Sequence, residues 1–270
     1  DLLESRGLGD VYKRQPINAR RFKASLASGG WSNTLDATSF PNRAMQDKTL
    51  DADGRKIPGK VSEDCLFLNI YKPKNAKKLA PVLVWMHGGA FKHGSANEFD
   101  GSVLAEQQQV VVVTLNFRVG AFGFLDFSKF GSEYLGSASN GIQDCILALQ
   151  WIQDNIEEYG GDPDNVTISG ESSGGTMTLG LLGCPSAYSL YHKAIACSPT
   201  CPYKDLEDPT EKVRSALNID SDNYLSPMLE MSAIDICQLE LGFRVSIDGE
   251  VIKTPTIQAI KSRGENGVPL

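Results

Sequence analysis

The stretch that most constrains the fold of this chain covers residues 166–180 and reads V-T-I-S-G-E-S-S-G-G-T-M-T-L-G. It begins with a β-branched run that is typical of a strand, and an apolar segment long enough for a helix follows over residues 176–182. Between them lies the G-x-S-x-G pattern of a sharp strand-to-helix turn, Gly170-Glu171-Ser172-Ser173-Gly174. Glycines two positions from Ser172 leave room for the strained backbone of such a turn. The pattern predicts that Ser172 stands exposed at the N-terminus of a helix.

Other segments have the composition of strands. Alternating apolar residues predict a half-buried strand over residues 66–71. Continuous apolar runs over residues 82–86 and 110–115 are typical of central strands covered on both faces, as in mostly parallel sheets. Residues 166–169 predict the strand that leads into the turn, and residues 193–197 predict a short strand after it.

An amphipathic helix is predicted over residues 142–159, with Asn140 as its N-cap and Gly160-Gly161 at its end. The residues on its apolar face are Ile142, Cys145, Ile146, Leu149, Ile152 and Ile156. Because strands and helices alternate, the sequence predicts an α/β fold with an open, doubly wound, mostly parallel sheet and helices on both faces. Beyond residue 199 the pattern predicts only small helices with polar connections.

Size and charge limit the class of protein. At 270 residues with 41% hydrophobic content, the chain can bury a sizeable core as one α/β domain or two smaller ones. Its formal net charge of −7 argues against general nucleic-acid binding. No apolar run reaches the roughly 18 residues that a membrane-spanning helix needs, so no transmembrane segment is predicted.

Residues 1–15 resemble nothing in the rest of the chain, and we interpret them as a non-matching segment: a tag, an assembly artefact or a disordered tail. They lack the apolar stretch of a signal peptide, so no export signal is visible. The domain is predicted over residues 16–270.

The cysteines stand at positions 65, 145, 184, 197, 201 and 237. Their spacing is irregular and the chain is too large to need disulfide staples, which favours thiols over a disulfide framework. Cys197 and Cys201 are four positions apart, but no histidine lies near them in sequence. No metal site is therefore predicted.

A serine hydroxyl is a weak nucleophile, so Ser172 would need a base, an acid that orients the base, and donors for an oxyanion. Candidates for the donors are visible. His87-Gly88-Gly89-Ala90 directly follows a predicted strand, where glycines let backbone N–H groups point at a developing negative charge. We predict an oxyanion hole formed by the N–H groups of Gly88, Gly89 and Ser173. The alternative is that both glycines only turn a strand into a loop; two motifs in this order favour the hole.

Longer segments around these motifs resemble the type-B carboxylesterases, the cholinesterase-like branch of the α/β-hydrolases. The resemblance runs from about residue 16 to residue 255. The segments that carry it are Ser62-Glu63-Asp64-Cys65-Leu66-Phe67-Leu68-Asn69-Ile70-Tyr71, Asn116-Phe117-Arg118-Val119-Gly120-Ala121-Phe122-Gly123-Phe124-Leu125, and Gly161-Asp162-Pro163-Asp164-Asn165-Val166-Thr167 leading into the turn at Ser172. It implies an α/β-hydrolase-type fold that is truncated here before the last core strands.

The resemblance also implies a cofactor-free transfer of an acyl group from a small-molecule carboxylic ester to water. The residues that it assigns are Ser172 as the nucleophile, Gly88, Gly89 and Ser173 as oxyanion donors, and Glu171 and Ser198 as side chains that support the site. Family members are often secreted or lumenal and often pair the counterpart of Cys65 with a cysteine near position 44. Here that region reads Arg43-Ala44-Met45-Gln46, so the localisation stays open.

The base and the acid are not visible in the sequence. In this fold the nucleophile is followed by the acid and then by the histidine, yet the chain holds only His87, His93 and His192. His87 belongs to the oxyanion motif, His93 lies just beyond it, and His192 follows Ser172 by only 20 residues. Residues 244–250 resemble the segment shortly before the acid. We therefore expect an N-terminal portion that lacks acid and base and is inactive in isolation.

Two classes of function stay open. Residues 46–62 hold no tryptophan of the kind that binds quaternary ammonium groups in cholinesterases, which favours a general carboxylester hydrolase. The alternative is a non-catalytic, adhesion-type relative of the same fold, and the retained Ser172 argues against it. A lipase or peptidase of another α/β-hydrolase branch fits the turn but not the long signatures.

Overall fold

The computed structural model describes residues 6–11, 13–27, 37–51, 53–74, 78–202, 204–263 and 268–269. Its strands are β1 (Arg6–Val11), β2 (Lys13–Arg14), β3 (Leu26–Ala27), β4 (Arg43–Ala44), β5 (Val61–Ser62), β6 (Phe67–Tyr71), β7 (Ala80–Met86), β8 (Val111–Leu115), β9 (Gly161–Glu171) and β10 (Lys193–Cys197). Its α-helices are α1 (Ser102–Gln108), α2 (Gly120–Phe124), α3 (Asn140–Asn155), α4 (Ser173–Leu182), α5 (Thr210–Leu217), α6 (Leu225–Glu230), α7 (Ala233–Cys237) and α8 (Thr256–Arg263). Short 3-10 turns cover Asn18–Arg20, Ala96–Glu98, Ser128–Phe130, Ser132–Tyr134, Ser137–Ser139, Ile156–Tyr159 and Pro185–Ala187.

The main sheet has the strand order β1-β6-β8-β7-β9-β10. The strands β8, β7, β9 and β10 are parallel, whereas β6 pairs antiparallel with both β1 and β8. Outside this sheet, β2 pairs with β3 and β4 with β5. The predicted mostly parallel sheet is confirmed.

Helices cover both faces of this sheet. On one face, Ile70 of β6 and Val113 of β8 lie in the main core with residues of α3 and α4. On the other face, Tyr71 and Val112 pack with Ala105 of α1. Tyr71 directly follows Ile70 in β6, and Val112 directly precedes Val113 in β8. Successive side chains of a strand point to opposite faces, so both helix layers are needed to bury them.

Strand β6 is buried more completely than its alternation predicts. The predicted strand is confirmed, but the predicted half-burial is wrong because Asn69 and Tyr71 are both fully buried. The Asn69 amide donates to Asn97 Oδ1 and Thr114 Oγ1, each at 3.2 Å. The Tyr71 hydroxyl donates to a backbone carbonyl, that of Phe99, at 3.0 Å. Hydrogen bonding lets these polar groups be buried at little cost.

Helix α3 confirms the predicted amphipathic helix, although its ends differ. It begins at Asn140, and after Asn155 it continues as a 3-10 turn that ends at Gly160, whose φ is 82°. Asn140 was predicted as the N-cap, and this is wrong: it is the first helical residue. Its buried amide donates instead to the carbonyls of Phe22 and Phe122, at 2.8 and 3.4 Å. The side chain therefore ties the start of the helix to the N-terminal part of the chain.

Strand β1 forms one edge of the sheet, with Arg6 opposite Tyr71 and Val11 opposite Phe67. The sequence predicts a non-matching segment over residues 1–15, whereas this part of it pairs with β6. The Gln15 amide also exchanges two hydrogen bonds with the backbone of Leu66. Residues 1–5 and 12 lie outside the described residues, and the predicted domain boundary at residue 16 stays a prediction.

A buried ion pair anchors the loop that follows β8. Arg118 donates to the Asp144 carboxylate from its backbone N–H at 2.8 Å, from Nε at 3.0 Å and from Nη2 at 2.8 Å. Its Nη1 donates to the Lys23 carbonyl at 2.8 Å, and the Ser25 hydroxyl donates to Asp144. These contacts join the loop, α3 and residues 23–25.

All six cysteines lie within the described ranges, and none of them forms a disulfide. The helices of these ranges include none that is both long enough and apolar enough to cross a bilayer. No cluster of three or more His, Cys, Asp or Glu side chains in the described residues is arranged to hold a metal ion.

Candidate active site

Ser172 lies at the junction of β9 and α4 in a strained backbone conformation, with φ 55° and ψ −122°. Such a conformation costs on the order of 1–3 kcal/mol and persists only where its surroundings hold it. Here the Ser172 N–H donates to the Cys197 carbonyl at 2.9 Å. The Ser172 carbonyl accepts from the Thr176 N–H at 2.9 Å and from the Thr176 hydroxyl at 3.3 Å. The predicted sharp turn is confirmed, but the predicted exposure of Ser172 is wrong because the residue is half-buried.

The glycines around Ser172 are required by close backbone approach. A Cβ on Gly170 would lie 2.5 Å from the carbonyl carbon and oxygen of Gly174. A Cβ on Gly174 would lie 2.1 Å from the Met86 carbonyl oxygen, at the end of β7. Neither position has space for a side chain, because the first turn of α4 is pressed against the ends of the central strands.

The loop that follows β7 brings the His87-Gly88-Gly89 motif against Ser172. Met86 pairs with Gly170, so the ends of β7 and β9 are neighbours. A Cβ on Gly88 would lie 3.3 Å from Ser172 Cβ, which is closer than most real contacts. Gly89 has a φ of 117°, a conformation that favours glycine. The two predicted motifs are therefore in contact.

Three backbone N–H groups close to Ser172 have no acceptor in the described residues. In the described part of the chain, the N–H groups of Gly88 and Gly89 donate no hydrogen bond. The Ser173 N–H is the first of α4 and has no acceptor within the helix. The N-terminus of this ten-residue helix also carries a partial positive charge. Unpaired N–H groups of this kind can stabilise a negative charge, and the oxyanion hole formed by Gly88, Gly89 and Ser173 stays a prediction.

His87 is fully buried and neutral at pH 7. Its ring stacks on Phe117 with centroids 4.2 Å apart, and its Nδ1 lies 2.9 Å from the Gly88 carbonyl oxygen. Burial lowers its pKa from 6.5 to about 4, although the bond to Gly88 opposes the shift. Since a carbonyl only accepts, Nδ1 carries the proton. Nε2 is buried and has no hydrogen-bond partner in the described residues.

The other two histidines lie in different surroundings. His93 is half-buried, and burial together with Lys48 lowers its pKa. His192 Nδ1 accepts from the Val166 N–H at 3.1 Å, near the opposite end of β9 from Ser172. Within the described residues, the Ser172 hydroxyl makes no hydrogen bond to a histidine.

Glu171 and Ser198, to which the resemblance assigns supporting roles, lie next to the turn. Glu171 is exposed, and its Oε2 lies 3.1 Å from where a Cβ on Gly88 would be. Ser198 is exposed, has a φ of 48° and directly follows Cys197, whose carbonyl holds the Ser172 N–H. The roles of both side chains stay predictions.

One residue beside the site had no signal in the sequence. The buried Gln46 amide bonds to both the carbonyl and the N–H of Gly94, in the loop that carries Gly88 and Gly89. The two residues are 48 positions apart, and a single glutamine after a short strand follows no recognisable pattern.

Comparisons with known proteins identify the family of the chain. The sequence profile of the Carboxylesterase family matches residues 8–218. The chain is 35% identical to the para-nitrobenzyl esterase of Bacillus subtilis (strain 168), over 97% of this chain and 57% of that protein. It is 42% identical to carboxylesterase 5A of Homo sapiens, over 74% of this chain and 36% of that protein. The chain thus spans about half the length of such relatives, or less.

Solved structures give the same result. A PNB esterase superposes with a TM-score of 0.89 at 33% identity and covers 98% of this chain, which matches 58% of that one. The Geobacillus stearothermophilus carboxylesterase EST55 superposes with a TM-score of 0.84 at 31% identity over 98% of this chain and 56% of that one. The fold is of the α/β-hydrolase type, and the chain belongs to the carboxylesterase family.

Proposed function

We propose that the protein hydrolyses small-molecule carboxylic esters, with Ser172 as the nucleophile. The observation that carries this proposal is the strained turn at Ser172, held between β9 and α4 with Gly88 packed against it. A protein keeps such strain where the surroundings compensate it, and active sites are its commonest location.

The chemistry follows the usual course of acyl transfer through serine. Ser172 Oγ attacks the ester carbonyl carbon while its proton passes to a general base, and the carbonyl oxygen becomes an oxyanion. The N–H groups of Gly88, Gly89 and Ser173 stabilise that charge. The carbonyl re-forms as the protonated alcohol leaves, and water then releases the acid from the acyl-enzyme.

We assign the general base to none of the three histidines in residues 1–270. His192 Nδ1 accepts from Val166, near the far end of β9. His87 Nε2 has no hydrogen-bond partner in the described residues, but the imidazole is buried and burial lowers its pKa to about 4, so it is a weak base. None of the three histidines bonds to Ser172 within the described residues. The proposal therefore expects the base and its orienting acid from sequence outside residues 1–270. A polypeptide limited to these residues is expected to lose orders of magnitude in kcat, because the oxyanion donors alone provide only a residual acceleration.

The class of substrate is proposed at the level of the family. The relatives' names include a para-nitrobenzyl esterase and, in Anas platyrhynchos, a medium-chain fatty acyl-CoA hydrolase. Both names describe the hydrolysis of an acyl group from an ester or a thioester. We therefore expect activity on activated short-chain esters such as p-nitrophenyl acetate and butyrate.

The test compares three forms of the complete gene product that contains residues 1–270. The wild type is expected to hydrolyse p-nitrophenyl butyrate, and Ser172→Ala is expected to lower kcat at least about 10⁴-fold. The matched control is Ser215→Ala, an exposed serine on α5, which is expected to leave kcat unchanged. A wild type without ester hydrolysis, or a Ser172→Ala variant that retains it, would overturn the proposal. The first of these results would favour the non-catalytic adhesion-type alternative.

A further inference from the structure

The buried side chain of Gln46 holds a glycine in the oxyanion loop from both sides. Gln46 Nε2 donates to the Gly94 carbonyl at 2.8 Å, and Gln46 Oε1 accepts from the Gly94 N–H at 3.0 Å. Nε2 also donates to the Ala44 carbonyl at 3.0 Å. Only 1% of Gln46 is exposed, so these bonds do not compete with water. The side-chain amide of Gln46 thus pairs with the N–H and carbonyl of Gly94 as a backbone peptide group would.

Gly94 in turn lies directly behind the Gly88 carbonyl. Its φ is 114°, a conformation that favours glycine, and a Cβ built on it would lie 2.3 Å from the Gly88 carbonyl oxygen and 2.3 Å from His87 Nδ1. The Gly94 backbone is thus packed against the pair formed by the His87 imidazole and the Gly88 carbonyl. A shift of Gly94 changes the room available to both.

The orientation of the Gly88 carbonyl determines where the Gly89 N–H points. The two groups belong to one planar trans peptide and point in opposite directions. When the carbonyl is held toward His87 and Gly94, the N–H is directed away from them. Ser172 lies beside the same residue, since a Cβ on Gly88 would be 3.3 Å from Ser172 Cβ. The plane of this single peptide therefore aims one of the proposed oxyanion donors.

We infer that Gln46 is a positioning residue for the oxyanion hole: by clamping Gly94 it fixes the peptide between Gly88 and Gly89. The inference rests on the proposed function of Ser172. Other bonds hold the outer part of the loop, such as the one from the Gly120 N–H to the Phe91 carbonyl at 2.6 Å. Gln46 is the contact that holds Gly94, next to the peptide itself.

The consequence is a defect in the transition state rather than in substrate binding. The oxyanion exists only after attack, so a misaligned donor lowers kcat and leaves KM nearly unchanged. Loss of a whole donor costs about 10²- to 10³-fold in kcat. A donor that is tilted but present is expected to cost less, about 10- to 100-fold.

The test uses Gln46→Met, which keeps the length of the side chain and removes its donors and acceptor. The matched control is Asn140→Leu, which removes another fully buried amide that donates to backbone carbonyls, far from the oxyanion loop in sequence. Both variants are expected to lower the melting temperature. Only Gln46→Met is expected to lower kcat for p-nitrophenyl butyrate 10- to 100-fold, with KM within about twofold of wild type.

A second variant, Gln46→Glu, retains the acceptor for the Gly94 N–H, and its protonated form can donate one hydrogen bond. Its kcat relative to wild type is expected to lie above that of Gln46→Met at pH 6 and to fall toward pH 8 as the carboxyl ionises. This variant decides the matter if Gln46→Met does not fold.

The inference is overturned if Gln46→Met keeps a kcat within twofold of wild type, or if Asn140→Leu lowers kcat equally. The inference is also overturned if the kcat of Gln46→Glu relative to wild type does not change between pH 6 and pH 8. In each of these cases the wild type is active and the proposed function stands. An inactive wild type removes the proposed function and, with it, this inference.

Discussion

The substitution Gly174→Ala tests how tightly the turn at Ser172 is packed. A Cβ at this position would lie 2.1 Å from the Met86 carbonyl oxygen and 2.7 Å from the His87 carbonyl oxygen. Both are backbone atoms, so no side-chain rotation can make room. To reach an ordinary contact of 3.4 Å, the first turn of α4 and the end of β7 would have to separate by about 1.3 Å.

The sheet resists this separation because Met86 is paired on both sides, with Leu115 of β8 and with Gly170 of β9. Overpacking of a well-packed core costs typically 1–3 kcal/mol. We place Gly174→Ala at the upper end, a loss of about 3 kcal/mol in the free energy of unfolding. For a chain of this size, that corresponds to a melting temperature lower by roughly 6–12 °C.

Urea unfolding followed by circular dichroism measures this loss. The matched control is Gly242→Ala, since Gly242 is exposed and a Cβ there meets no atom within 4 Å. The control is expected to change the free energy of unfolding by no more than about 0.5 kcal/mol. If Gly174→Ala is as stable as this control, the close packing of the turn against β7 is wrong.

Three further predictions follow from buried groups. Arg118→Met leaves the Asp144 carboxylate buried without its guanidinium and is expected to cost about 3–5 kcal/mol of stability, measured by urea unfolding. The double variant with Asp144→Leu is expected to be more stable than the single one. Burial lowers the pKa of His87 in the folded state, so its imidazole stays neutral as the pH falls to about 4. In the unfolded state the imidazole binds a proton below its ordinary pKa of 6.5. The unfolded state therefore binds more protons in that window, and the wild type is expected to lose about 3 kcal/mol more stability than His87→Gln between pH 7 and pH 4. Cys197 is exposed, whereas burial raises the pKa of Cys184, so a maleimide is expected to label Cys197 first, as read by mass spectrometry.

Each of these predictions has a result that contradicts it. A double variant less stable than Arg118→Met would show that the ion pair is not what stabilises the loop after β8. Equal acid sensitivity of the wild type and His87→Gln would place the imidazole in water rather than in the core. If maleimide labels Cys184 as fast as Cys197, Cys184, which lies just after the C-terminal end of α4, is not shielded from solvent.

The parts of the fold that the sequence predicted are those with local information. The run over residues 111–115 is apolar except for Thr114, and all five residues are buried in a central strand. The turn at Ser172 needs glycine at 170 and at 174 because backbone atoms lie within 2.5 Å of where each Cβ would be, so its pattern is visible in five residues. The same holds for the loop that begins at His87.

The parts that the sequence did not predict depend on partners far away along the chain. The alternating pattern predicts that Asn69 lies on the exposed face of its strand. It is buried instead, and Asn97 and Thr114 accept hydrogen bonds from its amide. Asn140 reads as a cap, but the carbonyl of Phe22, 118 positions away, takes its hydrogen bond. Gln46 was missed for the same reason. Polar residues with distant partners carry no periodicity.

The central claim is that Ser172 is the nucleophile, and the most direct measurement is the site of covalent labelling. The complete gene product that contains residues 1–270 is treated with a fluorophosphonate, digested and mapped by mass spectrometry. We expect a single phosphonylated peptide with the adduct on Ser172, and no adduct in Ser172→Ala or in protein unfolded before treatment. An adduct on another serine, or none on a folded protein that hydrolyses esters, would contradict the account.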